Sequence, residues 1–232
     1  MVINIVKNIS KYTFIGLVTF ASSLSAQAEY QVSSSCSQFE GGNPFQRGVE
    51  RKEEIREQLE FLFNQHVELF FQYATIAIAK GEENSQAKNL EQLLDFNAEQ
   101  IATVFACDPA ASWLLHLTLQ EYQQTGLDYV KDVAKHKSQS ALDERINYFH
   151  IKTQLLTDTL GTVSPKLDNK DRIRLKRLFT QLTKAEIQFT NQIAAGVDSQ
   201  AALEKAVNRA RRIANISFKV YVHLFNAQLK AA

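Results

Sequence analysis

The sequence contains few residues that interrupt helices and none of the common short catalytic or metal-binding motifs. Its 232 residues include only 3 prolines and 8 glycines, and no stretch alternates in the way that predicts β-strands. None of the 5 histidines belongs to a Glu-x-x-His, His-x-x-x-His or His-Glu-x-x-His motif, which argues against a di-iron or zinc site of the usual helical kind. A Cys-x-x-Cys-His haem box, a Gly-x-Ser-x-Gly elbow and a glycine-rich phosphate loop are absent too. The sequence therefore predicts an all-α protein that is not an enzyme, and we expect no cofactor and no metal.

The first 28 residues are typical of a bacterial secretory signal peptide. Lys7 and Lys11 precede an apolar stretch from Tyr12 to Leu24, which is too short to span a bilayer comfortably as a helix. Small residues follow at positions 26 and 28, so we predict cleavage before Glu29. The alternative is an uncleaved membrane anchor. Because no second apolar run approaches membrane-spanning length, we expect an exported, soluble chain in the periplasm or outside the cell.

The chain has only two cysteines, Cys36 and Cys107, and both remain after the predicted cleavage. An even number of cysteines in an exported chain permits a disulfide. This bond would tie an irregular N-terminal arm, residues 29–48, to the end of the second predicted helix. Closing a loop of that size stabilises the folded state by about 4 kcal/mol in the chain-entropy model. The alternative is two unpaired thiols.

Residues 49–232 repeat apolar positions at helical spacing and predict an up-down bundle of about six antiparallel helices. Gly81 and Gly196 are expected to end the first and fifth helices, Asp108 and Pro109 to begin the third, and Ser199 to cap the sixth. A weak stretch at residues 123–126 allows a kink in the third helix, and a sub-bundle boundary is possible near residues 161–165. The predicted helices cover residues 50–80, 85–106, 109–136, 140–160, 168–195 and 199–229.

Two polar residues, His66 and Asn97, fall within the apolar seams of the first and second predicted helices. A buried polar group needs a hydrogen-bond partner, and antiparallel neighbours could bring these two within reach of each other. One interpretation is a structural hydrogen bond that fixes the helix register. The other is a polar pocket that binds a small ligand, with Tyr73, Tyr122 and Trp113 as candidate walls.

The near-neutral net charge of +1 conceals an uneven distribution. Residues 29–160 carry 11 basic and 20 acidic residues, a net charge of −9, whereas residues 161–232 carry 13 and 5, a net charge of +8. The two halves could pack against each other, and the acidic half would then offset basic residues near the start of the fifth helix. Alternatively, a basic surface faces an anionic partner. Its candidate residues are Lys170, Arg172, Arg174, Lys176, Arg177, Arg209, Arg211 and Arg212.

The segment 59–105 resembles the opening of a family of small, mostly uncharacterised bacterial helical-bundle proteins. The resemblance rests on Leu62-Phe63-Asn64-Gln65-His66, on Gly81, and on Leu93-Leu94 followed by Asn97 and Ile101. It implies that His66 and Asn97 occupy the family's histidine and asparagine positions. Tyr122 stands where the family has a second histidine. Because the family has no established activity, the resemblance implies a helical bundle and no substrate.

Two hypotheses for the function follow. The first is an exported, non-enzymatic protein that binds another protein or an anionic surface; export argues against nucleic acid as the partner. The alternative is a bundle that binds a small ligand or a metal ion in a polar pocket near His66 and Asn97. The sequence does not predict an oligomeric state.

Overall fold

A computed structural model describes residues 44–105 and 108–228, with side chains described from residue 52 to residue 226 within those ranges. This part of the chain contains six α-helices and no β-strand, which confirms the predicted all-α fold. None of these helices is both long enough and apolar enough to cross a membrane. The helices are α1 Pro44–Lys80, α2 Ser85–Thr103, α3 Pro109–Ala134, α4 Gln139–Val163, α5 Asn169–Ala194 and α6 Gln200–Gln228.

Local sequence signals explain most of the helix ends. Gly81 and Gly196 follow α1 and α5 with φ angles of +88° and +68°, a conformation that glycine adopts without a Cβ clash. Asp108 begins α3 as predicted, because its Oδ1 accepts a hydrogen bond from the amide of Ala111 at 3.1 Å. At the start of α6, Oδ1 of Asp198 accepts a hydrogen bond from the backbone N–H of Gln200. The capping side chain is therefore that of Asp198 and not that of Ser199.

Helix α1 begins earlier than the sequence indicated. The predicted irregular arm extended to residue 48, but α1 starts at Pro44. Proline suits the first turn of a helix because its fixed φ angle is helical and its missing N–H would have no partner there. The predicted signal peptide, the rest of the arm and the cysteine pair Cys36 and Cys107 lie outside the described residues.

Helix α1 occupies the centre of the bundle and packs against α2, α3, α5 and α6. Phe63, Phe70 and Phe71 are all buried, although they lie off the main apolar seam. A helix that is apolar around most of its circumference buries more surface when neighbours surround it. The sequence of α1 therefore suits its central position in the structure.

Helix α3 runs unbroken through residues 123–126. Gly126 is buried there, and a Cβ atom at this position would lie 2.8 Å from Cζ of Phe149 and 2.9 Å from Cε2 of Phe70. The glycine therefore allows two aromatic rings, from α4 and α1, to approach the α3 backbone.

The break near residues 161–165 corresponds to the end of α4 and the turn before α5. Arg172 organises this turn, because its Nε donates to the carbonyl oxygen of Leu167 at 2.9 Å and its Nη2 to that of Ser164 at 3.2 Å. Ser164 is buried, and its hydroxyl lies 3.2 Å from Nδ1 of His223 on α6. One apolar core includes residues from helices on both sides of this turn.

Candidate functional site

A cluster of polar side chains lies in the middle of the bundle, around Glu186. This glutamate projects from α5 and has 0% of its surface exposed. Its Oε1 lies 3.3 Å from Nε2 of His66 on α1, and its Oε2 accepts a 2.6 Å hydrogen bond from the hydroxyl of Tyr122 on α3. One carboxylate thus joins three helices.

Gln123 completes the surroundings of the His66 ring. Its Nε2 lies 3.0 Å from Nδ1 of His66. An amide nitrogen can only donate, so Nδ1 is the acceptor and the ring hydrogen is on Nε2, directed at Glu186. With this orientation of the Gln123 amide, the two ring nitrogens of His66 face different partners, Gln123 and Glu186.

The cluster extends to α4 through two threonines. The hydroxyl of Thr183 lies 2.8 Å from that of Thr153 and 3.4 Å from that of Tyr122. Burial raises the pKa of Tyr122 well above its ordinary value, and the negative charge of Glu186 raises it further. Tyr122 consequently keeps its proton and remains a donor to the carboxylate.

Asn97 is buried but belongs to a different set of contacts. Its Nδ2 donates to the carbonyl oxygen of Leu62 and to Oε1 of Gln65, both at 3.0 Å, and its Oδ1 has no partner among the described residues. A hydrogen bond between Asn97 and His66, which the sequence left open, is therefore not formed. The alignment of α1 and α2 places Asn97 opposite the helix turn that precedes His66, whereas the His66 ring is directed at α3 and α5.

The candidate pocket walls are also dispersed. Tyr73 is buried seven residues from His66, about 10 Å along the helix axis, and its hydroxyl has no described partner. Burial raises the pKa of Tyr73, and the charges of Glu91 and Glu82 raise it further. Trp113 is 66% exposed, so the expectation that it lines an internal pocket is wrong.

Sequence reasoning missed Glu186, although a signal for it exists. Glu186 lies four residues after Leu182 and three before Phe189, so it shares their buried face of α5. A charged residue in such a position needs partners, and His66 and Tyr122 supply them. Within the described ranges, no group of three or more His, Cys, Asp or Glu side chains is placed to hold a metal ion.

The predicted basic surface divides into residues with different roles. Arg172 binds backbone carbonyl oxygens, and Nε of Arg211 forms a 3.3 Å ion pair with Glu60, a link between the basic and acidic halves. Arg209 is partly buried, its Nε lies 3.4 Å from Oε1 of Gln181, and its Nη1 is buried without a described partner. Burial and the charge of Arg212 lower the pKa of Arg209. Five members are exposed and form no ion pair with a described residue: Lys170, Arg174, Lys176, Arg177 and Arg212.

The charge near the start of α5 is offset locally. Asp168 precedes the helix and its Oδ1 accepts a 2.6 Å hydrogen bond from the amide of Asp171. Asp171 lies in the first turn, where a negative charge interacts favourably with the helix dipole, and it pairs with Nζ of Lys219 at 2.5 Å. Asp168 and Asp171 both belong to residues 161–232, the basic half. The negative charges at this helix end are therefore supplied by the basic half and not by residues 29–160.

Two of the grooves on the surface of the described helices lie between neighbouring helices. The larger, about 470 Å³, lies between α4 and α5 and includes His150, Lys184 and Val197. The smaller, about 230 Å³, lies between α2 and α3 and includes Asp95 and Gln123. Because Gln123 also contacts His66, the smaller groove lies directly above the buried polar cluster.

Exposed apolar side chains follow the junction of α3 and α4. We define the α3–α4 stripe as Trp113, Leu117, Tyr148, Ile151 and Leu155, each of which is exposed.

Comparison with known proteins gave no match to a family model, to a curated protein or to a solved structure.

Proposed function

We propose that this chain is an exported, non-enzymatic protein that binds another protein through the α3–α4 stripe. The observation that carries the proposal is the position of its single tryptophan, Trp113, which is 66% exposed at one end of an apolar strip. Isolated apolar residues on a surface need no explanation, but contiguous apolar strips mark interaction sites. Tryptophan is among the residues most enriched at the centres of protein interfaces.

An ion pair fixes how the two halves of the stripe are aligned. Nζ of Lys152 on α4 contacts Oε2 of Glu121 on α3 at 3.0 Å. The helices are antiparallel, so the turn before Glu121 lies beside the turn after Lys152. Leu117 and Leu155 occupy those turns and therefore flank the junction at the same level.

On the other side of this ion pair the stripe continues along α4. Tyr148 and Ile151 precede Lys152 by four residues and one residue, and the ammonium group of Lys152 lies 5.2 Å from the centre of the Tyr148 ring. Trp113 lies one turn before Leu117. The stripe thus extends over several helical turns, with one ion pair between its parts.

Export is supported by the sequence features of residues 1–28. A basic start, a short apolar stretch and small residues before Glu29 together form a signal-peptide pattern. A partner for the stripe would accordingly be a periplasmic, outer-surface or extracellular protein.

Site-specific photo-crosslinking in an exporting bacterial host tests this function. A crosslinking residue at Leu117 is expected to give a discrete adduct, whereas the same residue at Ile173, which is also apolar and is even more exposed on α5, should not. The double substitution Ile151→Asp with Leu155→Asp should abolish the Leu117 adduct, and Ile173→Asp should leave it unchanged. An adduct of twice the chain mass would identify a second copy as the partner. Equal adducts at Leu117 and Ile173 would refute the proposal.

The smaller groove favours a second candidate function, a small polar ligand bound above Gln123. Glu91, Asp95 and Gln120 line this groove together with Gln123, whose other contact is Nδ1 of His66. A ligand there would be coupled to the buried cluster through Gln123. Native mass spectrometry of the mature chain tests it: a retained small molecule that disappears on Gln123→Leu supports a ligand site, and a bare chain argues against one.

A further inference from the structure

The groove between α4 and α5 has a cationic end and an apolar end. The hydroxyls of Thr153 and Thr183 lie 2.8 Å apart and fix the level of the two antiparallel helices. His150, three residues before Thr153, therefore lies level with the turn that follows Lys184. The other end of the groove lies further along α5, towards Val197. The volume of the whole groove, about 470 Å³, is in the range of small-molecule sites.

Lys184 makes the first end cationic, and the imidazole of His150 lines the groove beside it. Partial burial lowers the pKa of His150, and the positive charge of Lys184 lowers it further, so the two groups are close enough to interact. No described carboxylate forms an ion pair with Lys184. An exposed ammonium group beside a partly buried imidazole is therefore available to an incoming anion.

The opposite end is apolar. Ile146 and Ala195 line it together with Val197, which is 56% exposed, and Ile187 adds apolar surface nearer the cationic end. A hydrocarbon chain placed here would cover this apolar surface and remove it from water, which favours binding roughly in proportion to the area covered.

A negative charge lies near the apolar end. Asp143 is three residues before Ile146 on α4. Burial raises the pKa of Tyr129, the hydrogen bond with Asn191 lowers it, and the charge of Asp143 raises it, so this negative charge acts on a hydroxyl that is bonded to the groove-lining Asn191. An anionic group of a ligand would be repelled at this end, so we expect it to bind at the cationic end.

Two amide side chains lie between the ends. Asn191 uses its Oδ1 to accept a 2.8 Å hydrogen bond from the hydroxyl of Tyr129, which leaves its Nδ2 available to donate. Gln192 also lines the groove, and its Oε1 is buried without a described partner. Polar atoms of this kind can orient a ligand that the apolar surface binds without directional preference.

We propose that this groove binds an anionic amphiphile, with its acidic head group at Lys184 and His150 and its hydrocarbon chain directed towards Ile146 and Val197. Exposed cations continue from Lys184 along the same face of α5, at Arg177, Arg174 and Lys170, and they raise the local concentration of anions. A free fatty acid and an anionic phospholipid share this chemistry. The site is separate from the α3–α4 stripe, so it does not depend on the proposed function.

Calorimetric titration of the mature chain with dodecanoate, below its micellar concentration, tests the proposal. We expect saturable binding that Lys184→Glu weakens at least tenfold and that Lys176→Glu, a charge reversal elsewhere on α5, leaves nearly unchanged. Val197→Asp should weaken binding through the chain end of the groove, whereas Ile173→Asp should not. Dodecyltrimethylammonium, which has the same chain and the opposite charge, should not bind.

Vesicles that contain phosphatidylglycerol distinguish the two sources of the head group. If the chain binds these vesicles but not free dodecanoate, and if Lys184→Glu and Val197→Asp both weaken binding to the vesicles, the result supports the site with a phospholipid as the ligand. The proposal is overturned if neither probe binds, if the two variants leave binding unchanged, or if the ammonium amphiphile binds as tightly as dodecanoate.

Discussion

The hydroxyl of Tyr122 donates a 2.6 Å hydrogen bond to Oε2 of Glu186, although the two residues are 64 positions apart in the chain. The other oxygen of the same carboxylate faces Nε2 of His66. Three helices therefore depend on one fully buried acidic side chain. This arrangement makes the stability of the bundle sensitive to each of the three residues.

Replacing Glu186 with alanine should destabilise the fold by about 2–6 kcal/mol, because it leaves the buried donors of Tyr122 and His66 without their shared acceptor, at about 1–3 kcal/mol each. Glu186→Gln should cost less, since the amide oxygen still accepts one of the two hydrogen bonds. Urea denaturation followed by circular dichroism measures both. The exposed Glu204 provides a matched control, and Glu204→Ala should change the free energy of unfolding by less than about 0.5 kcal/mol. Equal stability of Glu186→Ala and the unaltered chain would show that the carboxylate is not structural.

Replacing His66 with leucine should lower the free energy of unfolding by about 1–3 kcal/mol, because Oε1 of Glu186 and Nε2 of Gln123 both lose a partner. Asn97→Leu should cost less. The two acceptors of Asn97 lose less when it is replaced, because the carbonyl oxygen of Leu62 lies inside a helix and Oε1 of Gln65 belongs to a side chain that is only partly buried. Denaturation of the two variants side by side checks this order. An unchanged or higher stability of His66→Leu would exclude a required structural hydrogen bond.

The helices could be predicted from the sequence because their signals are local. Apolar spacing, Asp108 before Pro109, and the glycines at 81 and 196 act within a few residues, so most predicted ends lie within three residues of the observed ones. The burial of His66 and Asn97 follows from the same spacing.

The partners of these buried residues could not be predicted in the same way. The contact between His66 and Glu186 spans 120 positions and depends on how α1 and α5 are rotated and aligned. Periodicity within one helix contains no information about that alignment. For the same reason, the spacing of Trp113 on α3 did not reveal that it lies outside the core.

Gly126→Ala should destabilise the bundle by about 1–3 kcal/mol, although alanine is the better helix former. The added Cβ would lie 2.8 Å from Cζ of Phe149 and 2.9 Å from Cε2 of Phe70, and both rings are buried in the core. Combining Gly126→Ala with Phe149→Leu should recover part of the loss if the clash is its cause, and thermal denaturation measures the coupling. Independent, additive losses would show that the clash with Phe149 is not the cause of the loss.

The free energy of unfolding should fall as the pH rises above about 10, the ordinary pKa of tyrosine. Burial and Glu186 raise the pKa of Tyr122 in the folded state, so between its unfolded and folded pKa values the unfolded chain has already lost this proton and the folded chain has not. Stability from this group is therefore fully present below the unfolded pKa and is lost as the pH rises towards the folded value. Tyr122→Phe should make the alkaline dependence less steep. Urea denaturation between pH 8 and about 11 measures these slopes, and identical slopes for Tyr122→Phe and the unaltered chain would mean that Tyr122 ionises as readily in the folded protein as in the unfolded one.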